Sequence, residues 1–151
     1  MNTDTYPIYC FKEKKVSQKS AVKPLDFKED QIVQEFLWDQ DADEALREAI
    51  AKQTSNELVD EDYADLVDGA IIWWRADDGE ADDLTDCLVD ATQNFAGPGV
   101  VWVITPKPNQ PGHVSPFTIE SAAQVAGLHA TSSVVVAPEW VGTRVQTRDR
   151  A

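Results

Sequence analysis

The sequence predicts an α/β domain of the Rossmann-like kind, a three-layer sandwich whose mostly parallel sheet carries an antiparallel C-terminal edge strand. Three observations predict it. Two apolar runs, Leu66–Trp74 (LVDGAIIWW) and Val100–Thr105 (VVWVIT), are too short for typical helices and suit strands buried on both faces. Between them Leu84, Cys87, Leu88, Ala91 and Phe95 recur at the i, i+3, i+4, i+7, i+11 spacing of an amphipathic helix, so strand, helix and strand form a parallel unit with a right-handed crossover. At the C-terminus, Thr131–Val136 and Trp140–Thr147 are joined only by Ala137, Pro138 and Glu139, too short a link for a parallel crossover, so they pair antiparallel.

Residues 1–23 mix Lys, Ser, Gln and Thr without apolar period and are expected to be a flexible tail ending near Pro24; residues 149–151 are a second short tail, leaving 24–148 as one domain. Gln31–Leu37 (QIVQEFL) is a strand candidate. Asp43–Thr54 follows as a helix with Leu46 and Ile50 inward, and a short strand is possible near Leu58. In the central helix Asp82, Asp83, Asp86 and Asp90 lie outside the apolar stripe, and the acids at its start suit the positive end of the helix dipole. Gly97, Pro98 and Gly99 are expected to break the chain before the second buried strand. Ser115 as N-cap, Pro116 at the first helical position and Gly127 as stop punctuate a helix with Ile119, Ala122, Ala123 and Ala126 on one face.

Charge is unevenly placed along the 151 residues: residues 1–28 carry a net +3, residues 29–95 a net −18 and residues 96–151 a net +1. The acidic middle repels phosphate backbones and argues against direct nucleic-acid binding. No apolar run approaches a membrane span and the N-terminus lacks a secretory h-region, which points to the cytoplasm and away from membranes. With only Cys10 and Cys87, neither a disulfide framework nor a CxxC motif can be built, and Cys87 is expected to face the core.

In open parallel sheets ligands bind at the carboxyl ends of the strands. The residues there are Trp74, Arg75, Asp77 and Asp78 after the first buried strand, and Thr105, Lys107 and the PNQPGH loop ending at His113 after the second; of these, Trp74, Arg75, Thr105, Lys107 and His113 are the candidate ligand-binding residues. Arg75 and Lys107 suit an anionic group, and His113 suits proton transfer near neutrality, although a connecting loop would carry the same residues. Trp73, Trp102 and Trp140 are core candidates before they are ligand platforms. Asp39, Asp41 and Asp43 begin like a calcium loop, but Glu44 and Ile50 stand where that loop needs glycine and glutamate, so no metal site is expected there. Asp77, Asp78, Glu80, Asp82 and Asp83 suit at most weak divalent-cation binding. GxSxG is absent, and no catalytic residue is assigned.

From Leu25 to Val145 the chain resembles an uncharacterised actinobacterial family known only as a domain of unknown function; the matching stretches are QIVQEF, DADEALREAI, ELVDEDYADLVD, IIWWR, TPK (Thr105–Lys107), GHVSPFTIESAAQVAGL and EWVGTR. That resemblance implies no established activity. The order of elements in the second half is also similar to the C-terminal half of a class I methyltransferase, a likeness of fold alone. Such an enzyme needs a glycine-rich turn after its first strand, and here that strand runs into Trp38, Asp39, Gln40 and Asp41 with no glycine between Asp26 and Asp68. The expectation is therefore a non-catalytic, cofactor-free binding or regulatory module that takes a small anionic ligand or a protein partner at the carboxyl edge. The alternatives are a divergent S-adenosylmethionine-dependent methyltransferase and an acidic decoy for a nucleic-acid-binding protein.

Overall fold

The computed structural model describes residues 25–147; the expected tails at 1–23 and 149–151 lie outside them, as does Cys10. In chain order the elements are β1 (Val33–Phe36), α1 (Glu44–Thr54), β2 (Val67–Trp73), a 3-10 turn (Ala76–Asp78), α2 (Ala81–Thr92), β3 (Phe95–Pro106), α3 (Pro116–Val125), β4 (Leu128–Ala137) and β5 (Trp140–Thr147). The five strands form one sheet in the order β1-β2-β3-β5-β4. β1, β2 and β3 are parallel, with Phe36 beside Ile72 and Trp73 beside Ile104. β5 runs antiparallel between β3 and β4, Val101 lying opposite Val145 and Ala137 opposite Trp140. The antiparallel strand is thus inserted one place in from the edge, because the tight turn at Pro138 and Glu139 folds β5 back onto the inner side of β4.

Alternation of side chains along the strands divides the core into two layers. On one face Val33, Ile71, Trp73, Trp102 and Ile104 meet Leu46 and Ile50 of α1. On the other Phe36, Ala70, Ile72, Val101 and Val103 meet Leu84 and Leu88 of α2 and Ile119 of α3. The caps read from the sequence are formed: the Asp43 carboxylate accepts from Leu46 N and the Ser115 hydroxyl from Phe117 N, each worth about 1 kcal/mol. Trp73, Trp102 and Trp140 are buried, and the rings of Trp73 and Trp140 meet edge to face with centroids 5.0 Å apart.

Three expectations are corrected. Phe95, assigned by spacing to the helical stripe, begins β3, since α2 ends at Thr92. The Gly97-Pro98-Gly99 stretch does not break the chain; β3 runs through it and absorbs it as a register shift against β2 between Val67 and Gly69. A Cβ at Gly99 would lie 2.7 Å from the Asp68 carbonyl, so glycine is what lets the two strands approach there. The strand sought near Leu58 reduces to a single parallel bridge from Val59 to Gln34.

Candidate functional site

The chain leaves β1 through α1, touches the outer edge of β1 at Val59, and then places β2 on the inner edge. The direction of winding therefore reverses between β1 and β2, and the crevice at the carboxyl ends of those two strands is where an open α/β sheet presents its ligand site. Here the chain's own side chains fill it. Leu37, just beyond β1, adopts φ 61°, a left-handed conformation rarely taken by a bulky residue. Its N–H donates to Glu61 Oε2 at 2.6 Å and its carbonyl accepts from Arg75 Nη1 at 2.8 Å.

Arg75 spans the crevice. Nη1 also donates to the Trp73 carbonyl at 2.8 Å, joining the ends of β1 and β2, while Nε and Nη2 grip Asp41 as a fork and the guanidinium lies 5.6 Å from the Trp140 ring centre. Burial works against this charge, yet Asp41 and then Asp78 outweigh it and hold the Arg75 pKa above its ordinary value. On the α1 face of the same strands, Glu35 accepts a second fork from Arg47 and the indole N–H of Trp73, so a buried carboxylate is fully paired.

The loop after β3 is tied down in the same way. Lys107 Nζ donates to the Pro138 carbonyl at 3.1 Å, and His113 Nδ1 lies 3.0 Å from the Pro106 carbonyl. The Ala76 N–H donates to the Gly112 carbonyl, which brings the loop over the Arg75 stem. Thr105 is buried within β3. Arg75, Lys107 and His113 thus gather at one edge of the sheet, Arg75 held by four hydrogen bonds and Lys107 Nζ and His113 Nδ1 by one contact each.

The open space lies beside that edge. A cavity of about 510 Å³ runs between α2, β1 and the loop at residues 60–63. Phe36, Leu37 and Trp74 supply its apolar wall. Glu61, Asp78, Asp83, Asp86 and Asp90 supply its charge, and among the described residues no Lys, Arg or His lines it. Of the five residues expected at the site, only Trp74 lines this space. Cys87 packs against the α2-face core as expected and also lines this space, half-buried, and its thiol is pushed up to about 12, first by burial and then by the charges of Glu61, Asp90 and Asp78.

Gln34 at the floor of the groove was invisible to sequence reasoning. It is buried on the α2 face of β1, and its Nε2 donates to the Asp60 and Tyr63 carbonyls at 3.0 and 3.1 Å. Its Oε1 has no hydrogen-bond partner among the described residues. The two carbonyl acceptors fix which end of the amide is nitrogen. A polar residue within QIVQEFL, on a face otherwise filled by Phe36, was the one available signal. The sequence places the acids of α2 outside its apolar stripe; only the packing of the 60–63 loop opposite them turns that face into a wall.

The family model described as "Protein of unknown function (DUF3052)" matches residues 22–149. Uncharacterised proteins of Mycobacterium bovis and Mycobacterium tuberculosis are 45% identical over 130 residues, covering 85% of this chain and 80% of each relative. Among solved structures, the pyocyanin biosynthetic protein PhzM is similar with a TM-score of 0.61 at 12% identity, covering 82% of this chain and 52% of that one. Mitomycin 7-O-methyltransferase MmcR gives 0.61 at 13% identity, with 89% and 53% covered. An O-methyltransferase from neocarzinostatin biosynthesis, in complex with S-adenosylmethionine and 2-hydroxy-5-methyl naphthoic acid, gives 0.56 at 13% identity, with 80% and 49% covered. The chain spans about half the length of these structures, and at such identities the likeness is one of fold.

Proposed function

We propose that this chain, which belongs to the DUF3052 family of unknown function, is a non-catalytic Rossmann-like binding module of the cytosol that works at the carboxyl edge of its sheet. One observation carries the reading: the crevice between β1 and β2 is closed by Arg75, Asp41 and Leu37, while an open groove lined by five carboxylates lies beside it. S-adenosylmethionine does not fit the crevice residues. A cofactor at that turn requires a close backbone approach that glycine permits, and Leu37 occupies the turn with both backbone polar groups already engaged. Arg75 is taken up by internal acceptors, Lys107 Nζ and His113 Nδ1 each reach one carbonyl, and the open groove is lined by carboxylates, which favours a cationic ligand or a basic protein segment over the small anion expected from sequence.

The test is a thermal-shift screen of the full chain against S-adenosylmethionine, nucleotides, phosphometabolites and cationic metabolites, since a ligand of the native state raises Tm by mass action. The expected outcome is a shift with a cationic compound that Asp86→Asn with Asp90→Asn abolishes. A shift with S-adenosylmethionine, confirmed by calorimetry at millimolar concentration, would restore the methyltransferase reading.

Among the described residues no helix is long and apolar enough to cross a membrane. The acidic-decoy reading rests on the same wall and differs in its partner. It requires a nucleic-acid-binding protein that the groove holds, with association fading steeply as salt rises.

A further inference from the structure

Resting on the reading that the groove is the working site, we propose that it binds an aliphatic polyammonium chain, with Gln34 Oε1 receiving one ammonium group and the α2 carboxylates receiving the others. Two independent observations converge. The first is the buried Gln34 acceptor, whose nitrogen is committed to the Asp60 and Tyr63 carbonyls and whose oxygen has no partner among the described residues. An unpaired buried acceptor is costly, and what satisfies it must be a donor. The second is the wall itself. Asp83, Asp86 and Asp90 are exposed and spaced i, i+3, i+7 along α2, so they form one row about 10 Å long. A donor that is also a cation meets both demands through charge-assisted hydrogen bonds.

The arrangement selects an extended ligand over a metal ion. No group of His, Cys, Asp or Glu among the described residues is gathered closely enough to hold one ion. Glu61 is turned onto Leu37 N, Asp83 caps α2 by accepting from Glu80 N, and Asp78 accepts from Arg75 N. The Asp86 and Asp90 carboxylates accept no hydrogen bond and form no ion pair among the described residues, which leaves them for a ligand. Phe36, Leu37 and Trp74 offer the methylene stems of such a chain an apolar surface between charges.

Two sources supply this chemistry: a free linear polyamine, or lysine side chains in a basic peptide. Calorimetric titration of the full chain at low salt with spermidine, with a tetralysine peptide and with magnesium chloride separates them. One saturable site for spermidine is expected, weakened at least tenfold by Gln34→Met and more by Asp86→Asn with Asp90→Asn, with magnesium failing to match it. The same pattern with tetralysine and none with spermidine assigns the source to a protein partner and sustains the proposal. Should Gln34→Met destabilise the chain, the Asp86 and Asp90 exchanges, both exposed, still decide the outcome. Binding of every cation alike and insensitive to both variants would overturn the inference, as would no binding at all. If polyammonium ligands fail while another compound gives a thermal shift lost in the Asp86 and Asp90 variant, the inference falls and the binding-module reading stands.

Discussion

The crevice between β1 and β2 and the groove beside α2 are adjacent, share Leu37 and Glu61, and have opposite electrostatic designs. In the crevice, Arg75 lies among acceptors and each is satisfied: two strand-end carbonyls, the Asp41 carboxylate and the Trp140 face. In the groove, carboxylates face one another, and among the described residues no basic side chain lines the space and a buried amide oxygen has no donor. One edge of one sheet therefore holds a site closed by the protein's own residues and a second site whose charge is left open. The lesson is that internal chemistry can fill the crevice where a Rossmann-like fold ordinarily binds while an acidic groove stays open on its flank.

The largest expected effect belongs to the groove. In a Cys10→Ser background, Cys87 at pH 8 should alkylate about a thousandfold more slowly than a free cysteine, because its thiol titrates near 12. Glu61→Gln with Asp90→Asn should recover part of that rate, burial keeping the remainder. The sign of the linkage follows: the thiol ionises in the unfolded chain from about pH 8.5 and in the folded chain only near 12, so Cys87 favours the fold fully below the lower value and loses that contribution as pH rises through the upper one. A Cys87 rate like that of a free thiol, followed by mass spectrometry, would remove the negative potential from the comparison.

Next comes the crevice. Arg75→Ala strands the Leu37 and Trp73 carbonyls and should cost about 3 kcal/mol, read as a lower midpoint in urea unfolding. Arg75→Lys should recover only part, since one ammonium cannot serve two carbonyls and grip Asp41 as a fork. A midpoint unchanged by Arg75→Ala would mean the crevice is not held shut.

The groove should respond to neutralisation in the opposite direction. Asp86→Asn with Asp90→Asn relieves like-charge repulsion and should stabilise the ligand-free chain by about 0.5 kcal/mol at low ionic strength, with the gain vanishing as salt screens the row. Thermal unfolding at two salt concentrations checks it, and a loss of stability in the variant would sink the idea of an uncompensated wall. The smallest effect is expected from Asp41→Asn. Its carboxylate is exposed on the outer side of the fork, and exposed pairs contribute only about 0 to 1 kcal/mol. A cost equal to that of Arg75→Ala would show that the ion pair, rather than the strand-end carbonyls, closes the crevice.

Local patterns in the sequence were sufficient for most of the architecture. Apolar runs at Leu66–Trp74 and Val100–Thr105 became β2 and β3, Ser115 and Pro116 opened α3, and the short link at Ala137–Glu139 forced the β4–β5 hairpin. Each of these signals acts within one element or across one turn, where periodicity, capping and loop length leave few alternatives. The lack of glycine after β1 was also legible, and Leu37 takes the left-handed conformation there instead. Phe95 misled because an aromatic ending a helical stripe and one opening a strand look alike until the chain direction is known.

What only the tertiary structure decided was pairing between distant segments. Arg75 is a cation at a strand end in the sequence; the return of Leu37 and Asp41 to within hydrogen-bonding distance makes it an internal clasp. Gln34 is an unremarkable strand residue until the 60–63 loop takes its nitrogen and leaves its oxygen. The acids of α2 are a solvated face until that loop and β1 stand opposite them. In each case the meaning of a polar group depends on whether a partner far along the chain satisfies it, and hydrogen-bond satisfaction, unlike hydrophobic periodicity, leaves no repeating trace in the sequence.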